Sequence, residues 1–110
     1  MFSDLSTIAV IENIICSYIY ALYRNNRAFI YLFATRDTFR NKGIGKTLYN
    51  QWEKRALYLE IDEVYAYLIP GNILSEKLFL SSGFSIEKKI NLHENQERVL
   101  MKKTIGNSFS

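Results

Sequence analysis

Residues 40–48 read RNKGIGKTL, that is Arg40-Asn41-Lys42-Gly43-Ile44-Gly45-Lys46-Thr47-Leu48, and the spacing of the glycines decides between two kinds of phosphate-binding turn. A Walker A loop places a glycine five positions before its Gly-Lys-Thr, where the chain must fold back around the phosphates. That position is Arg40. Nor does an apolar strand ending in Asp follow to hold a magnesium ion, so the ATPase or GTPase reading is set aside. The same residues fit a different anion site. An apolar strand enters a short polar loop, and Gly43 and Gly45 open a long amphipathic helix. The missing Cβ atoms let a ligand approach the backbone, and the first helical turn leaves several N–H groups unpaired. Such amides hold a diphosphate, with Arg40, Lys42 and Lys46 as auxiliary charges.

Outward from this turn the chain divides into short elements. The segment 28–35 (AFIYLFAT) is apolar at nearly every position, the mark of a strand buried on both faces at the centre of a sheet. Before it, 7–11 and 14–23 are rich in β-branched and aromatic residues and flank Glu12-Asn13, which predicts a hairpin. After it, Ile44, Leu48, Trp52, Ala56 and Leu59 recur at steps of four, four, four and three, one face of a helix over 43–59. Residues 63–69 (EVYAYLI) predict another strand, ended by Pro70-Gly71. Asn72 is a natural N-cap for a helix that stops at Gly83. Two closing strands, 84–92 and 98–104, flank a hairpin loop at 93–97. The predicted order is β-β-β-α-β-α-β-β, an α+β fold. The core spans 7–104 and the tail 105–110 is expected to be frayed.

Two motifs in this frame resemble those of the GNAT superfamily of N-acetyltransferases. Its pyrophosphate loop reads [QR]-x-x-G-x-[GA] between a central strand and a long helix, which Arg40-Asn-Lys-Gly43-Ile-Gly45 matches. Family members often show N-x-x-A-x-x-[LF]-Y-x-x-x-G-F downstream. Here Asn72-Ile-Leu-Ser75-Glu-Lys-Leu78-Phe79-Leu-Ser-Ser-Gly83-Phe84 keeps the spacing, with Ser75 for the alanine and Phe79 for the tyrosine. The resemblance covers about residues 7–104. It implies a mixed, mostly antiparallel sheet splayed between the strands at 28–35 and 63–69 and flanked by helices. It also implies acetyl-CoA as cosubstrate, with the pantetheine pairing along Phe33, Ala34 and Thr35. The diphosphate would lie on Arg40, Asn41, Lys42, Gly43, Ile44, Gly45 and Lys46, with Asn72 and the 72–82 helix, Phe79 included, flanking the cofactor from the far side. The reaction implied is acetyl transfer to a primary amine, of a small molecule or a protein. The alternative is a CoA-binding module of the same fold that has lost activity.

The chain departs from the family in two ways. Typical members begin with a strand and one or two helices that help to build the acceptor pocket, and these are lacking here. Either the acceptor site is open or another subunit or partner covers it, and a homodimer is the expectation for the covered case. Many members also use a carboxylate base on the central strand and a tyrosine acid in the second helix. Segment 28–35 contains no acid and Phe79 no hydroxyl, so no base or acid is assigned. Tyr31, Tyr65, Tyr67, Glu12, Glu63 and His93 are the substitutes to consider. The tyrosines at 18, 20, 23, 31, 65 and 67 either line an acceptor groove or pack between elements.

Composition bounds the rest. At 110 residues and 48% apolar content the chain reads as one folded domain, residues 1–110. Its net charge of +3 is scattered, which gives no nucleic-acid patch. One cysteine, Cys16, and one histidine, His93, make neither a disulfide nor a metal cluster, so a metal-free cytoplasmic protein is expected. The apolar segment 8–23 is interrupted by Glu12 and Asn13, which makes neither a signal peptide nor a membrane anchor. Trp52 and Cys16 are expected in the core. Lys88-Lys89 and Lys102-Lys103 are expected as edge-strand charges.

Overall fold

The apolar segment of the sequence becomes the middle of a seven-stranded sheet in the computed structural model, which describes residues 1–106. In chain order the elements are β1 (Ser3–Asp4), β2 (Thr7–Ile11), β3 (Ile14–Arg24) and β4 (Arg27–Thr35), then α1 (Ile44–Tyr58), β5 (Glu63–Leu68), α2 (Ile73–Ser81), β6 (Ser85–Asn91) and β7 (Glu97–Thr104). A single 3-10 turn, Asp37–Phe39, lies between β4 and α1. The predicted order holds, with β1 and this turn as additions. Strand order across the sheet is β1-β3-β4-β5-β7-β6, and β2 also pairs with β3. Every pairing is antiparallel except β4 with β5.

Residue alternation assigns the two faces. Ala28 and Ile30 of β4 and Val64, Ala66 and Leu68 of β5 are buried in one cluster with Leu48, Tyr49, Trp52 and Ala56 of α1 and Phe79 of α2. Both helices thus cover the same face. Trp52 is fully buried and its Nε1 donates to Leu5 O at 2.7 Å, tying the chain's start to α1. Cys16 is buried and unpaired, its Sγ directed at Ala9 O. The opposite face carries Tyr20, Phe29, Tyr31, Tyr65 and Tyr67, whose rings form a run across β3, β4 and β5. Among the described residues no helix lies over it, so the strand at 28–35 is buried on one face and not on both as its unbroken apolar run suggested, with Leu32 51% exposed.

One expectation is corrected by the strand order. Lys102 and Lys103 were expected at an edge, but β7 lies between β5 and β6, and the edge strand is β6 with Lys88 and Lys89. Interior lysines need partners. Lys102 Nζ pairs with Glu63 Oε2 at 2.8 Å, and Lys103 Nζ pairs with Glu53 Oε1 at 2.6 Å. Beyond β7 the chain is still held, since the amides of Ile105 and Gly106 both donate to Asp62 O. The expected fraying therefore does not begin at residue 105, and the rest of that tail lies outside the described residues. Among the described residues no helix is long and apolar enough to cross a membrane.

Candidate active site

The site begins where two parallel strands part. β4 and β5 are paired from Arg27↔Glu63 to Ile30↔Ala66 and no further. At that point Tyr20 faces Leu32 and Ala21 faces Ile30, so Tyr31 is an extra residue bulged out of the β3–β4 ladder. A bulge bends its strand and increases local twist. Here it turns residues 31–35 away from β5. β5 continues along β7 as far as Leu68↔Val99, so a wedge opens between the two strands. The wedge is a cleft of about 360 Å³. Tyr31 to Thr35 form one wall, Tyr67, Leu68 and Ile69 the other, and Asn72, Leu74, Ser75, Leu78 and Phe79 close it from α2.

The turn at 40–46 forms the cleft's end. Asn41 and Gly43 both have positive φ, 63° and 75°, and Gly43 is the N-cap of α1 without a side-chain cap. The first helical bond runs from Thr47 N to Gly43 O. Among the described residues no acceptor meets the amides of residues 41–46, so a row of donors is left at the helix start. Gly45 is needed for a second reason: a Cβ there would lie 2.9 Å from Thr35 Oγ1 and 3.7 Å from Phe33 Cε1. Helix α1 and strand β4 approach this closely only because residue 45 has no side chain.

Of the twelve residues expected at the cofactor, eleven line the cleft: Phe33, Ala34, Thr35, Arg40, Asn41, Gly43, Ile44, Gly45, Lys46, Asn72 and Phe79. The exception is Lys42, whose Nζ sits 5.7 Å from the centre of the Phe39 ring. Arg40 is engaged twice, with Asp37 Oδ1 at 2.7 Å and Thr35 O at 3.2 Å. Lys46 makes no ion pair among the described residues. The backbone at 33–35 is partly satisfied, because Phe33 O receives Ser75 Oγ at 3.4 Å and Ala34 O receives Ser17 Oγ at 2.9 Å. Asn72 Oδ1 accepts from Ser75 N at 3.2 Å and so caps α2 while facing the cleft. Phe79 is buried edge-to-face against Phe33 and Phe84.

The acid–base candidates separate clearly. Tyr31 and Tyr67 line the cleft, with rings stacked at 5.3 Å and 12°. Desolvation, and secondarily the neighbouring phenols, raise both hydroxyls above the ordinary tyrosine value. Tyr65 lies outside the cleft, stacked on Phe29. Glu63 stands at the closed end of the β4–β5 pair, and its hydrogen bond from Lys102, with Arg27 beside it, holds its carboxyl below the ordinary range. Glu12 is in the β2–β3 turn and His93 in the exposed β6–β7 loop. Among the described residues no carboxylate or imidazole lines the cleft. Among the described residues no group of three metal-ligating side chains exists. The expectation that the 72–82 helix flanks the cofactor singled out only Asn72 and Phe79, and Leu74, Ser75 and Leu78 of the same helix, with Ile69 before it, also line the cleft. The available signal was the Asn72-x-x-Ser75 spacing, one helical turn, which puts both on one face.

Comparisons with known proteins agree with this geometry. The sequence profile of the Acetyltransferase (GNAT) family matches residues 4–84. No curated protein matches the sequence significantly. The fold resembles that of PaiA N-acetyltransferase from Thermoplasma acidophilum in complex with coenzyme A, with a TM-score of 0.81 at 21% identity over 94% of this chain and 62% of that one. Ard1 from Thermoplasma volcanium gives 0.80 at 19% identity, over 89% and 68% of the two chains. Arabidopsis thaliana Naa50, in complex with the bisubstrate analogue CoA-Ac-MVNAL, gives 0.79 at 19% over 92% and 73%.

Proposed function

Because the chain belongs to the GNAT family of acetyltransferases, we propose that it transfers an acetyl group from acetyl-CoA to a primary amine, in the cleft between β4 and β5. The carrying observation is the run of amides at 43–46, on residues that line this cleft, which meet no acceptor among the described residues. Charge-assisted hydrogen bonds to such amides contribute about 1.5–3 kcal/mol each before desolvation, against about 0.3–1 kcal/mol for the helix dipole. Backbone donors therefore dominate diphosphate binding. The apolar wall of Phe33, Leu68 and Leu78 suits a pantetheine arm, and the coenzyme supplies the activated acetyl thioester. Proximity in the cleft carries much of the rate, since positioning two reactants can lower a barrier by about 7 kcal/mol or more.

A thermal-shift titration tests the binding half. Acetyl-CoA at a hundred times its Kd stabilises by about 2.7 kcal/mol, a rise of about 10 °C for a domain of this size. No shift at near-millimolar acetyl-CoA contradicts the proposal. Thiol release over an amine and peptide panel tests the chemical half. The second reading, a CoA-binding module without activity, is favoured by buried Phe79 and by a cleft that no carboxylate lines among the described residues. Stabilisation without thiol release from any acceptor supports that reading.

The same proposal places the protein in the cytoplasm and pairs two copies through the helix-free face, where Tyr20 and Leu32 are 44% and 51% exposed. Sedimentation equilibrium at micromolar concentration gives twice the chain mass if this pairing holds and the chain mass if it does not.

A further inference from the structure

We infer that the acceptor site is shared between two copies of the chain: the second copy roofs the mouth of the cleft, so that one chain suffices to hold the coenzyme and two are needed to hold the acceptor. This rests on the transfer and pairing readings above and joins them. The cleft passes through the sheet. β4 lines it with Ile30 and Phe33, which belong to the core beneath the helices, and also with Tyr31 and Leu32, which belong to the helix-free face. β5 does the same with Leu68 on one side and Tyr67 on the other. A gap lined from both faces of a sheet has two mouths. Asn72, Ser75 and Phe79 of α2 close the first. The second opens among Tyr31, Leu32 and Tyr67, over which no helix lies among the described residues. Coenzyme held by the turn at 43–46 and by α2 fills the first mouth, so the acceptor reaches the thioester through the second.

That mouth lies inside an apolar patch too large for an ordinary monomer. Tyr18 and Ile8, opposite each other in the β2–β3 register, continue the ring run beyond Tyr20, and Phe2 continues it past Phe29. Phe2, Ile8, Tyr18, Tyr20 and Leu32 are 40–53% exposed. At roughly 200 Å² per large side chain, these five alone leave about 500 Å² of apolar surface in water. Half-buried Phe29, Tyr31, Tyr65 and Tyr67 and the stems of Arg24 and Arg27 enlarge it further. The largest patch on a typical monomer is about 300–600 Å², and each partner gives about 800 Å² to a standard interface. The patch is of the second size.

Its chemistry suits a second copy. A patch that meets itself about a two-fold axis sets each central charge near its own kind unless that charge is already cancelled. Here it is cancelled in place, because Arg27 and Lys102 both pair with Glu63, at 3.2 and 2.8 Å. Two sheets can then pack face to face with interdigitating rings. The Tyr20 ring stands 5.7 Å from that of Tyr31, so a copy seated on Tyr20 touches the mouth itself. The acceptor is clasped between the cleft of one chain and the rings of its partner.

Tyr20→Asp and Ile8→Asp test this, since each puts a charge into the patch at an exposed position that does not line the cleft. Both should sediment as monomers and bind CoA within about twofold of wild type, because they stand apart from the coenzyme's contacts. With acetyl-CoA and lysine amide or a tripeptide as acceptor, both should lose about tenfold or more in kcat/KM, the order that positioning a reactant carries. Wild-type thiol release per chain should fall on dilution through the dimer range. Excess Gly45→Ala chain, its own turnover measured alone, should restore it, since that chain keeps the patch while its coenzyme turn is disturbed. Monomeric variants that turn over as fast as wild type, or faster, overturn the inference while transfer and pairing stand. Wild type that stays monomeric at every concentration overturns it together with the pairing. Thiol release from no acceptor overturns it together with transfer, and the CoA titration shows separately whether the cleft reading survives.

Discussion

Gly45→Ala is the substitution that most sharply separates a built cradle from an ordinary helix start. Alanine is the better helix former by about 1 kcal/mol, so propensity alone predicts stabilisation. The structure opposes it, because the new Cβ would stand 2.9 Å from Thr35 Oγ1. Thr35 is not free to move, as its Oγ1 is 3.0 Å from Ser17 Oγ, which in turn donates to Ala34 O at 2.9 Å. Relief means breaking that hydrogen bond, at about 0.5–1.5 kcal/mol, or lifting the first turn of α1 from β4, within the 1–3 kcal/mol typical of overpacking. The net expectation is a destabilisation of about 0–2 kcal/mol in urea denaturation. The effect on coenzyme is larger. Displacing the turn by a few tenths of an ångström loses at least one charge-assisted bond, about 1.5–3 kcal/mol, or roughly 10- to 150-fold in Kd by calorimetry. Gly43→Asn is the control, since φ is +75° there, nothing lies within 4 Å, and asparagine tolerates the left-handed region. It should bind within a fewfold of the parent. Undiminished CoA affinity in Gly45→Ala, with unchanged stability, refutes the reasoning.

Three further outcomes are expected. Lys46→Ala should weaken CoA binding about three- to tenfold at low ionic strength and less at high, because Lys46 adds an exposed point charge to a site made of amides; a hundredfold loss would move the weight from backbone to side chain. Trp52→Phe leaves the buried Leu5 carbonyl without its 2.7 Å donor and a gap beside α1, and should cost about 2–4 kcal/mol by urea denaturation, against less than 1 if the indole only fills space. Glu63 has a depressed folded pKa, so its pairing with Lys102 and Arg27 stabilises fully above the ordinary value near 4.5 and is lost as pH falls through the folded value. The stability gap between wild type and Glu63→Gln should therefore narrow as pH drops below 4.5, and a gap that widens contradicts the assignment.

What the sequence revealed and what it concealed follow a physical division. Periodicity is local, so α1 was readable from Leu48, Trp52 and Ala56, which are buried as the helical stripe requires. Tyr49 and Gly45 are buried too, outside the strict four-residue step, because the stripe also meets Phe33 and Thr35. The glycine and asparagine motifs placed the turn and the α2 cap, where backbone conformation is dictated by single residues. Strand order is not local. Lys102 and Lys103 looked like edge charges because nothing in KKT says that β6 will lie outside β7. The two-residue β1 exists only through Tyr23 and Leu22, twenty and eighteen residues away from their partners, and has no pattern of its own. The splay was expected from family resemblance. Its local device, the bulge at Tyr31, depends on the register between β3 and β4 and not on any property of the AFIYLFAT run. The tyrosine stack had the same origin: alternation put Tyr31 and Tyr67 on one kind of face, but only the β4–β5 register laid one ring on the other.

Backbone amides at the start of α1 are the proposed receptors of a coenzyme's diphosphate, and 15N–1H correlation spectra of the chain titrated with CoA test this directly. Saturable shifts should be largest at Gly43, Ile44, Gly45 and Lys46, and should be absent with pantetheine, which lacks the phosphates. Resonances at 43–46 that stay in place while CoA saturates the protein elsewhere, or no saturation at millimolar CoA, would contradict it.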